Sequence, residues 1–329
     1  SNISTMVTTI SADMMHAKLF PTVWNIDMLH FVGTEKHDDE IAKNNIILTK
    51  WALTKDMENS QEKVDDILRN QVESLRYLRV GNGAALVTNP KTGEILAMAG
   101  SKDYFNLADE GNVNVTTSLR QPGSSIKVVN YATALENGFT AASVIDDSPI
   151  VYNTPGSPPY APVNYDGMFH GPTPLRYALG NSYNIPAVKV LAKIGVSSMI
   201  AKGKLMGITT WEDESRYGLS LTLGGGDVMM TDMAKVVGTL ANAGRRVDPL
   251  PILEVTDYTG RVFERNTPKS GVPAVKPEVA WILSNILADN NARTNAFGPN
   301  SSLVIPGKTV SVKTGTSNDK RDNWTVGYT

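Results

Sequence analysis

Strand patterns lie near both ends of the chain, and a long helical middle separates them. Residues 84–88 and 94–99 have the composition of two strands around Asn-Pro-Lys-Thr-Gly, which predicts a β-hairpin. Residues 309–317, and then the chain from Asp322 onward, alternate apolar and polar side chains as strands do. A sheet built from both groups must join segments that are far apart in sequence. The sequence therefore predicts an α+β fold.

Helical periodicity occupies much of the remaining chain. A pattern that opens at Ser124 ends at Gly138, and glycine is a usual helix stop. Residues 59–79 carry apolar side chains three and four apart, which predicts a helix of about five turns. One face of this helix is apolar, so we expect it to pack against a partner domain. Further helices are predicted near residues 185–194, 228–243 and 277–290.

Composition narrows the possible functions. The chain has 329 residues, a length typical of about two domains. Its 31 basic and 33 acidic residues give a net charge of −2, so there is no uniform basic field to attract nucleic acid. The absence of cysteine excludes disulfides, thiolate metal sites and a cysteine nucleophile. A nucleophile or metal ligand in this chain must therefore be a side chain of another type.

Two short patterns of catalytic interest each occur more than once. Ser-x-x-Lys begins at Ser60, Ser124 and Ser317, and Lys-Thr-Gly begins at Lys91 and Lys313. Ser60 opens the amphipathic helix and Lys91 lies in the predicted hairpin turn, so both have ordinary structural interpretations. Ser317 directly follows the second Lys-Thr-Gly and belongs to the end of that strand. Context therefore favours Ser124 and Lys313.

Ser124 is the serine best placed to act as a nucleophile. The start of a helix brings backbone N–H groups to its hydroxyl, and Lys127 lies one turn later on the same face. A serine needs a neighbouring base, and a buried lysine near a second cation such as Lys313 can serve. Residues 182–184, Ser-Tyr-Asn, precede a predicted helix, where an N-cap is the usual role. Residues 313–316, Lys-Thr-Gly-Thr, lie on a predicted strand.

Taken in chain order, Ser-x-x-Lys at Ser124, Ser-Tyr-Asn at residues 182–184 and Lys-Thr-Gly at Lys313 resemble the three motifs of a known family. Residues 83–329 resemble the transpeptidase domain of class A penicillin-binding proteins, the bifunctional peptidoglycan synthases of the bacterial envelope. The resemblance implies a serine β-lactamase/D,D-peptidase-like fold, in which helices flank an antiparallel sheet and form an all-helical subdomain. The blocks that carry it are residues 84–100, 120–127, 164–171 (NYDGMFHG), 182–188 (SYNIPAV), 217–228, 240–244 and 311–328.

The resemblance implies roles for four catalytic residues. Ser124 would be the acylated nucleophile and Lys127 its base. Ser182 and Lys313 would relay a proton to the leaving amine. The backbone N–H groups of Ser124 and Thr316 would form an oxyanion hole, in which one donor is typically worth about 3 kcal/mol.

It also implies four substrate-binding residues. Asn184 would hold the peptide amide of the substrate, and Thr314 and Thr316 would bind its terminal carboxylate beside Lys313. Gly315 would let the substrate strand approach closely. The substrate would be the D-Ala-D-Ala end of a peptidoglycan stem peptide, and β-lactams would acylate the same serine.

The family also implies a cellular setting. The protein would act at the cell envelope, on the extracytoplasmic face of the plasma membrane, without a cofactor. Divisome or elongasome proteins are expected partners, a glycosyltransferase domain would belong to the full-length chain, and nucleic acid is not expected as a partner.

Two alternatives use the same serine. A D,D-carboxypeptidase or β-lactamase would pass the acyl group to water, and a catalytically silent sensor would only bind β-lactams. Tyr183 stands where many β-lactamases have Asp, and no Glu-x-x-Leu-Asn block supplies a deacylating carboxylate. Both features favour slow hydrolysis of the acyl-enzyme. The intact set of motif residues argues against a silent sensor.

Domain limits follow from the extent of the resemblance. Residues 1–80 lack the glycosyltransferase signature and are interpreted as an interdomain linker region with an amphipathic helix, and residues 81–329 as the transpeptidase domain. The family's sheet contains a further C-terminal strand between the hairpin and the last strand of this sequence. We therefore expect truncated C-terminal strands, an open gap or exposed edges in the sheet, and poor stability.

Residues 147–175 are rich in proline, glycine and asparagine, which predicts a long irregular segment that lines a site or links elements. His170 lies in this segment beside a glycine, where a lone histidine usually has a structural role, and no metal site is predicted. Residues 224–226, three glycines, are interpreted as a tight turn near the site, because no Lys-Ser or Lys-Thr follows them as in a phosphate loop.

Overall fold

A computed structural model gives the fold of the chain. Most of the predicted linker region lies outside its described part. It describes residues 28–33 (backbone only), 60–78, 80–153, 156, 158–256, 261–318 and 321–329.

Strands and helices alternate irregularly along the described chain. The strands are β1 (Met28–Gly33), β2 (Val80–Thr88), β3 (Ile95–Ala99), β4 (Val144–Asp147), β5 (Gly171–Pro174), β6 (Arg245–Arg246), β7 (Glu254–Thr256), β8 (Val262–Arg265), β9 (Val272–Pro273), β10 (Ser311–Thr316) and β11 (Asp322–Tyr328). The α-helices are α1 (Ser60–Ser74), α2 (Lys127–Glu136), α3 (Leu175–Gly180), α4 (Asn184–Ile194), α5 (Val196–Met206), α6 (Met230–Ala241), α7 (Pro277–Ala288) and α8 (Thr294–Phe297).

One five-stranded antiparallel sheet joins the two ends of the chain. Its order is β10-β11-β1-β2-β3. The predicted hairpin is confirmed as β2 and β3, and the predicted C-terminal strands are confirmed as β10 and β11, which pair from Ser311 with Tyr328 to Thr316 with Asn323. The mixed composition of sheet and helices confirms the α+β prediction.

The predicted gap in the sheet is wrong for the described chain. β1 pairs with β11, with Met28 opposite Val326, and with β2, with Leu29 opposite Ala85. A gap between two strands presents backbone N–H and C=O groups on both sides, and a short extended segment can satisfy both edges. Residues 28–33, MLHFVG, provide that segment here.

The sheet is buried on both faces. In β2, Ala84 and Leu86 belong to a large core with the helices of the middle of the chain, and Ala85 and Val87 belong to a second core with α1. This alternation follows from the two-residue period of a strand. We call the face toward α2 the front face and the face toward α1 the rear face.

Helix α1 confirms the amphipathic pattern that the sequence predicts. Its apolar residues Val64, Leu68 and Val72 are buried against the rear face. The surface that covers this helix is therefore the sheet itself, rather than a separate partner domain. A domain boundary near residue 80 stays a prediction.

The helical middle forms the front layer. The helices predicted after Ser124 and near residues 185–194, 228–243 and 277–290 are confirmed as α2, α4, α6 and α7. The sequence interpretation missed α3, α5 and α8, and α5 follows α4 after a bend of 97° at Gly195. Within the described ranges no single helix has the length and apolar character to cross a membrane, and α4 with α5 pass that test only as a bent pair.

Candidate active site

The predicted nucleophile lies in a tight turn that leads into α2. Residues Gly123–Ile126 form one 3₁₀ turn, and Gly123 has a φ of 53°, which favours glycine. A side chain on Gly315 would collide with the carbonyl oxygen of Pro122. The close approach at Gly315 therefore comes from the chain's own nucleophile turn, and approach by a substrate strand stays a prediction.

Strand β10 brings its lysine to the same place. Val312 is part of the rear core, so the alternation of side chains places Lys313 on the front face, where it is 4% exposed. Its Nζ donates hydrogen bonds to Ser182 Oγ, at 2.8 Å, and to the Thr314 carbonyl oxygen, at 2.6 Å. Burial, and then the nearby charge of Arg293, lower the pKa of Lys313 to about 7.

Lys127 is completely buried beside the Ser-Tyr-Asn turn, which comprises residues 182–184. Its Nζ donates to the Ser182 carbonyl oxygen at 2.6 Å, to the Tyr183 carbonyl oxygen at 3.2 Å and to Asn184 Oδ1 at 2.7 Å. Burial, and then the charge of Lys313, lower the pKa of Lys127 well below its ordinary value. The site therefore favours loss of a proton from this amine, as a base requires.

Ser182 connects the two lysines. Its hydroxyl accepts from Lys313 Nζ at 2.8 Å and from Lys127 Nζ at 3.4 Å. Ser182 has a φ of 61°, a left-handed conformation that is uncommon for a residue with a side chain. Such local strain often accompanies a functional position. The structure thus brings together three of the four predicted catalytic residues through hydrogen bonds.

In the part of the chain that the structure describes, the hydroxyls of Ser124, Thr314 and Thr316 make no hydrogen bond. No direct hydrogen bond joins Ser124 Oγ to Lys127 Nζ in this structure. Contacts of this kind are often long before a substrate binds and tighten in the complex.

Asn184 is already engaged at both ends of its amide. Its Oδ1 accepts from Lys127, and its Nδ2 donates to the Val163 carbonyl oxygen at 2.9 Å. The residue therefore orients the lysine amine in this structure. A contact between Asn184 and the substrate stays a prediction.

Sequence reasoning missed Arg293, which is 4% exposed. Burial lowers its pKa to about 10, so the guanidinium keeps its charge at neutral pH and adds to the positive potential at Lys313. An isolated arginine gives no sequence signal of this kind. Trp324 is a second missed residue, and its Nε1 donates to the Gln121 carbonyl oxygen at 2.9 Å, which anchors the nucleophile turn to β11.

The surroundings of the site include a glycine turn and a histidine. Gly224 lies against Gly123, so the glycine turn is confirmed as a neighbour of the nucleophile turn. His170 contacts the carboxylates of Asp147 and Asp166. Among the described residues, no group of three or more acidic or histidine side chains is arranged to hold a metal ion.

Comparison with known proteins places this geometry in a family. The family described as "Penicillin binding protein transpeptidase domain" matches residues 83–329. Penicillin-binding protein 1A from Aquifex aeolicus is 34% identical over 254 residues, which cover 75% of this chain and 32% of that protein. Penicillin-binding protein 1A from Rickettsia bellii is 30% identical over 307 residues, which cover 88% of this chain and 37% of that protein.

Solved structures agree with the sequence matches. The crystal structure of Penicillin-Binding Protein 1A from Haemophilus influenzae aligns with a TM-score of 0.64 and 25% identity, over 75% of this chain and 43% of that one. The imipenem acyl-enzyme complex of penicillin-binding protein A from M. tuberculosis aligns with a TM-score of 0.57 and 20% identity, over 72% of this chain and 66% of that one, which shows a shared fold.

This chain belongs to the family of penicillin-binding protein transpeptidase domains. Its relatives include penicillin-binding proteins 1A, the class A type that the motifs resemble. The chain spans about a third of the length of the Aquifex and Rickettsia relatives.

Proposed function

We propose that the chain is a serine D,D-transpeptidase that crosslinks peptidoglycan stem peptides through an acyl-enzyme on Ser124, and that β-lactams acylate the same serine. The observation that carries the proposal is the pair of buried amines, Lys127 and Lys313, joined through Ser182, together with the Ser124 hydroxyl, which makes no hydrogen bond among the described residues. A nucleophile with a base of lowered pKa and a second cation suits acyl transfer.

In the proposed first step, Ser124 Oγ attacks the carbonyl carbon of the penultimate D-Ala and its proton passes to neutral Lys127 Nζ. Collapse of the tetrahedral intermediate breaks the C–N bond. The leaving amine of the terminal D-Ala then takes a proton that Lys127 or Lys313 delivers through the Ser182 hydroxyl. This step leaves an acyl ester on Ser124. An amine of a second stem peptide then attacks the ester carbonyl, and the same proton transfers in reverse release the crosslinked peptide and restore the Ser124 hydroxyl.

Charge and hydrogen-bond donors support recognition of an anionic peptide end. The hydroxyls of Thr314 and Thr316 have no partner among the described residues, and they lie on the strand that carries Lys313. The charge of Arg293 adds to the positive potential there. A terminal carboxylate would bind at this strand, and the backbone N–H groups of Ser124 and Thr316 would stabilise the oxyanion.

The wider setting is part of the proposal. We place the protein at the extracytoplasmic face of the plasma membrane, because stem peptides that end in D-Ala-D-Ala are building blocks of the cell wall. A glycosyltransferase domain in the full-length chain and divisome or elongasome partners are expected from the family.

A product assay with a synthetic peptide ending in D-Ala-D-Ala tests the activity. We expect release of D-Ala and, with a D-amino acid present as acceptor, a peptide in which the acceptor replaces the terminal D-Ala. Ser124→Ala should abolish both products. Release of D-Ala without the exchanged peptide at any acceptor concentration would indicate a carboxypeptidase, and rapid hydrolysis of penicillin a β-lactamase. Neither product nor a penicillin adduct on folded protein would indicate a silent relative.

A further inference from the structure

The helix that carries Asn184 is capped by a residue from another part of the chain. Helix α4 begins at Asn184, and its own N-cap residue, Tyr183, makes no side-chain capping bond. Instead, Asn164 Oδ1 accepts from the backbone N–H of Asn184, at 2.8 Å, and from that of Ile185, at 3.2 Å. The first N–H groups of a helix need such acceptors. Asn164 thus fixes the end of the Ser-Tyr-Asn turn.

The amide of Asn164 is itself held in one orientation. Its Nδ2 donates to both carboxylate oxygens of Asp147, at 2.9 and 2.8 Å, and to the Met168 carbonyl oxygen, at 2.8 Å. Asp147 is fully buried and Asn164 is 3% exposed. The donors of this amide therefore face Asp147, and its oxygen faces α4.

His170 connects this pair to the middle of the Ser-Tyr-Asn turn. Its backbone N–H donates to Asp147 Oδ2 at 3.1 Å, and its Nδ1 lies 2.6 Å from the same oxygen. Its ring stacks on Tyr183, with centroids 3.9 Å apart and planes 13° apart. Both neighbours of the stacked tyrosine, Ser182 and Asn184, hold the amine of Lys127.

We propose, on the basis of the function proposed above, that Asp147, Asn164 and His170 are positioning residues for acyl transfer. We call these three residues the Asn164 clamp. The clamp holds the turn in the orientation that presents four oxygen acceptors to Lys127. It does not touch Lys127 itself, so it acts on catalysis through the turn. Loss of the clamp should therefore slow the chemical step rather than only weaken binding.

An exchange of partners inside the clamp tests this directly. Asn164→Asp sets two carboxylates against each other and should lower the limiting rate of acylation by benzylpenicillin on the order of 10- to 100-fold. The double variant Asn164→Asp with Asp147→Asn exchanges the amide and the carboxylate. The carboxylate now at position 164 still accepts from α4, and the amide now at position 147 can donate to that carboxylate. We expect part of the lost rate to return, because the carboxylate at position 164 cannot replace the hydrogen bond of Asn164 Nδ2 to the Met168 carbonyl oxygen.

Asp146→Asn is the matched control, because Asp146 is the adjacent aspartate, is exposed, and bonds to Lys189 and Ser148 outside the clamp. It should leave the limiting rate unchanged. The readouts are the limiting rate, the penicillin concentration at half that rate, and the melting temperature. An effect confined to the melting temperature, with the limiting rate unchanged, would overturn the proposal. So would a double variant as slow as the single one.

If Asn164→Asp does not fold, His170→Phe decides, because it keeps the stacked ring and removes the ring's contacts with Asp147 and Asp166. A folded His170→Phe variant with the wild-type limiting rate would then refute the clamp, and a slower one would support it. Failure of wild-type protein to form an adduct at Ser124 would instead refute the proposed function. The two failures are thus distinguishable.

Discussion

The front face of the sheet packs against an apolar core that also contains a site of buried amines, whereas the rear face packs against the apolar side of α1. Lys313 and its neighbour Val312 show the contrast within two residues of β10. The lysine lies in the front site with a pKa lowered to about 7, and the valine lies in the rear core. The same strand therefore contributes chemistry on one side and packing on the other.

The difference has an energetic meaning. Burial of an amine disfavours its charged form, so Lys127 and Lys313 are poised for proton transfer at a cost in stability. Apolar burial of the kind seen at Leu68, which is fully buried under the sheet, offsets such costs at about 25 cal/mol per Å². The apolar cores on both faces of the sheet therefore offset the cost of the buried amines.

The largest expected effect on the front face follows from Lys127→Met. Removal of the proposed base should lower the limiting rate of acylation by benzylpenicillin on the order of 10²- to 10⁴-fold. Because the variant leaves the buried acceptors of residues 182–184 without a donor, its melting temperature should fall, and the rate is measured on protein shown to be folded. A variant that keeps the wild-type rate would show that Lys127 is not the base.

On the rear face, Leu68→Ala should lower the free energy of unfolding by about 2–5 kcal/mol, since it leaves a cavity under the sheet. Urea denaturation measures this loss. The limiting acylation rate of the folded fraction should not change, in contrast to Lys127→Met. A large loss of rate without a loss of stability would contradict the proposed division between the two faces.

The coupling between the two lysines gives a pH prediction. The charge of Lys313 helps to lower the pKa of Lys127, so Lys313→Met should raise that pKa. A base is active when it is neutral. The rate therefore falls on acidification, and this fall should begin at a higher pH in the variant. Acylation rates measured from mildly acidic to mildly alkaline pH give the profile.

Lys91→Met is the matched control for that profile, because it changes the lysine of the second Lys-Thr-Gly, which lies in the exposed turn between β2 and β3. Its profile should match the wild type. Coincident profiles for Lys313→Met and wild type would contradict electrostatic coupling between the lysines.

The smallest expected effect belongs to the exposed side of α1. Arg69 bonds to Asp66 at 2.9 Å, and both side chains are more than half exposed. Arg69→Ala should lower the free energy of unfolding by about 0.2–0.5 kcal/mol. Urea denaturation beside Leu68→Ala makes the comparison, and an equal loss in both variants would indicate that charge pairs, rather than apolar burial, secure the rear layer.

Local patterns made much of the fold predictable from sequence. Turn residues at 89–93 define the hairpin, and apolar spacing defines α1, because each signal lies within one short segment. The place of β1 could not be predicted, since it depends on two edges formed by distant strands. Helix α5 was missed because Gly195 interrupts its pattern directly after α4.

The residues of the candidate site were predictable from the sequence to a similar extent. Ser124, Lys127, Ser182 and Lys313 stand in short motifs, so their residue types and spacing identify them. Asn164 lies in one of the sequence blocks that carry the family resemblance. Its capping of α4, however, depends on a contact between residues 20 positions apart in sequence. The influence of Arg293 on Lys313 depends on the fold alone. Three-dimensional contacts of this kind leave no short pattern in a sequence.

The most direct test of the account is intact-mass spectrometry after incubation with benzylpenicillin, followed by peptide mapping. We predict one long-lived adduct with the mass of one penicillin, located on Ser124 and absent from Ser124→Ala. An adduct on another residue of folded protein, or an adduct that persists in Ser124→Ala, would contradict the assignment of Ser124 as the nucleophile.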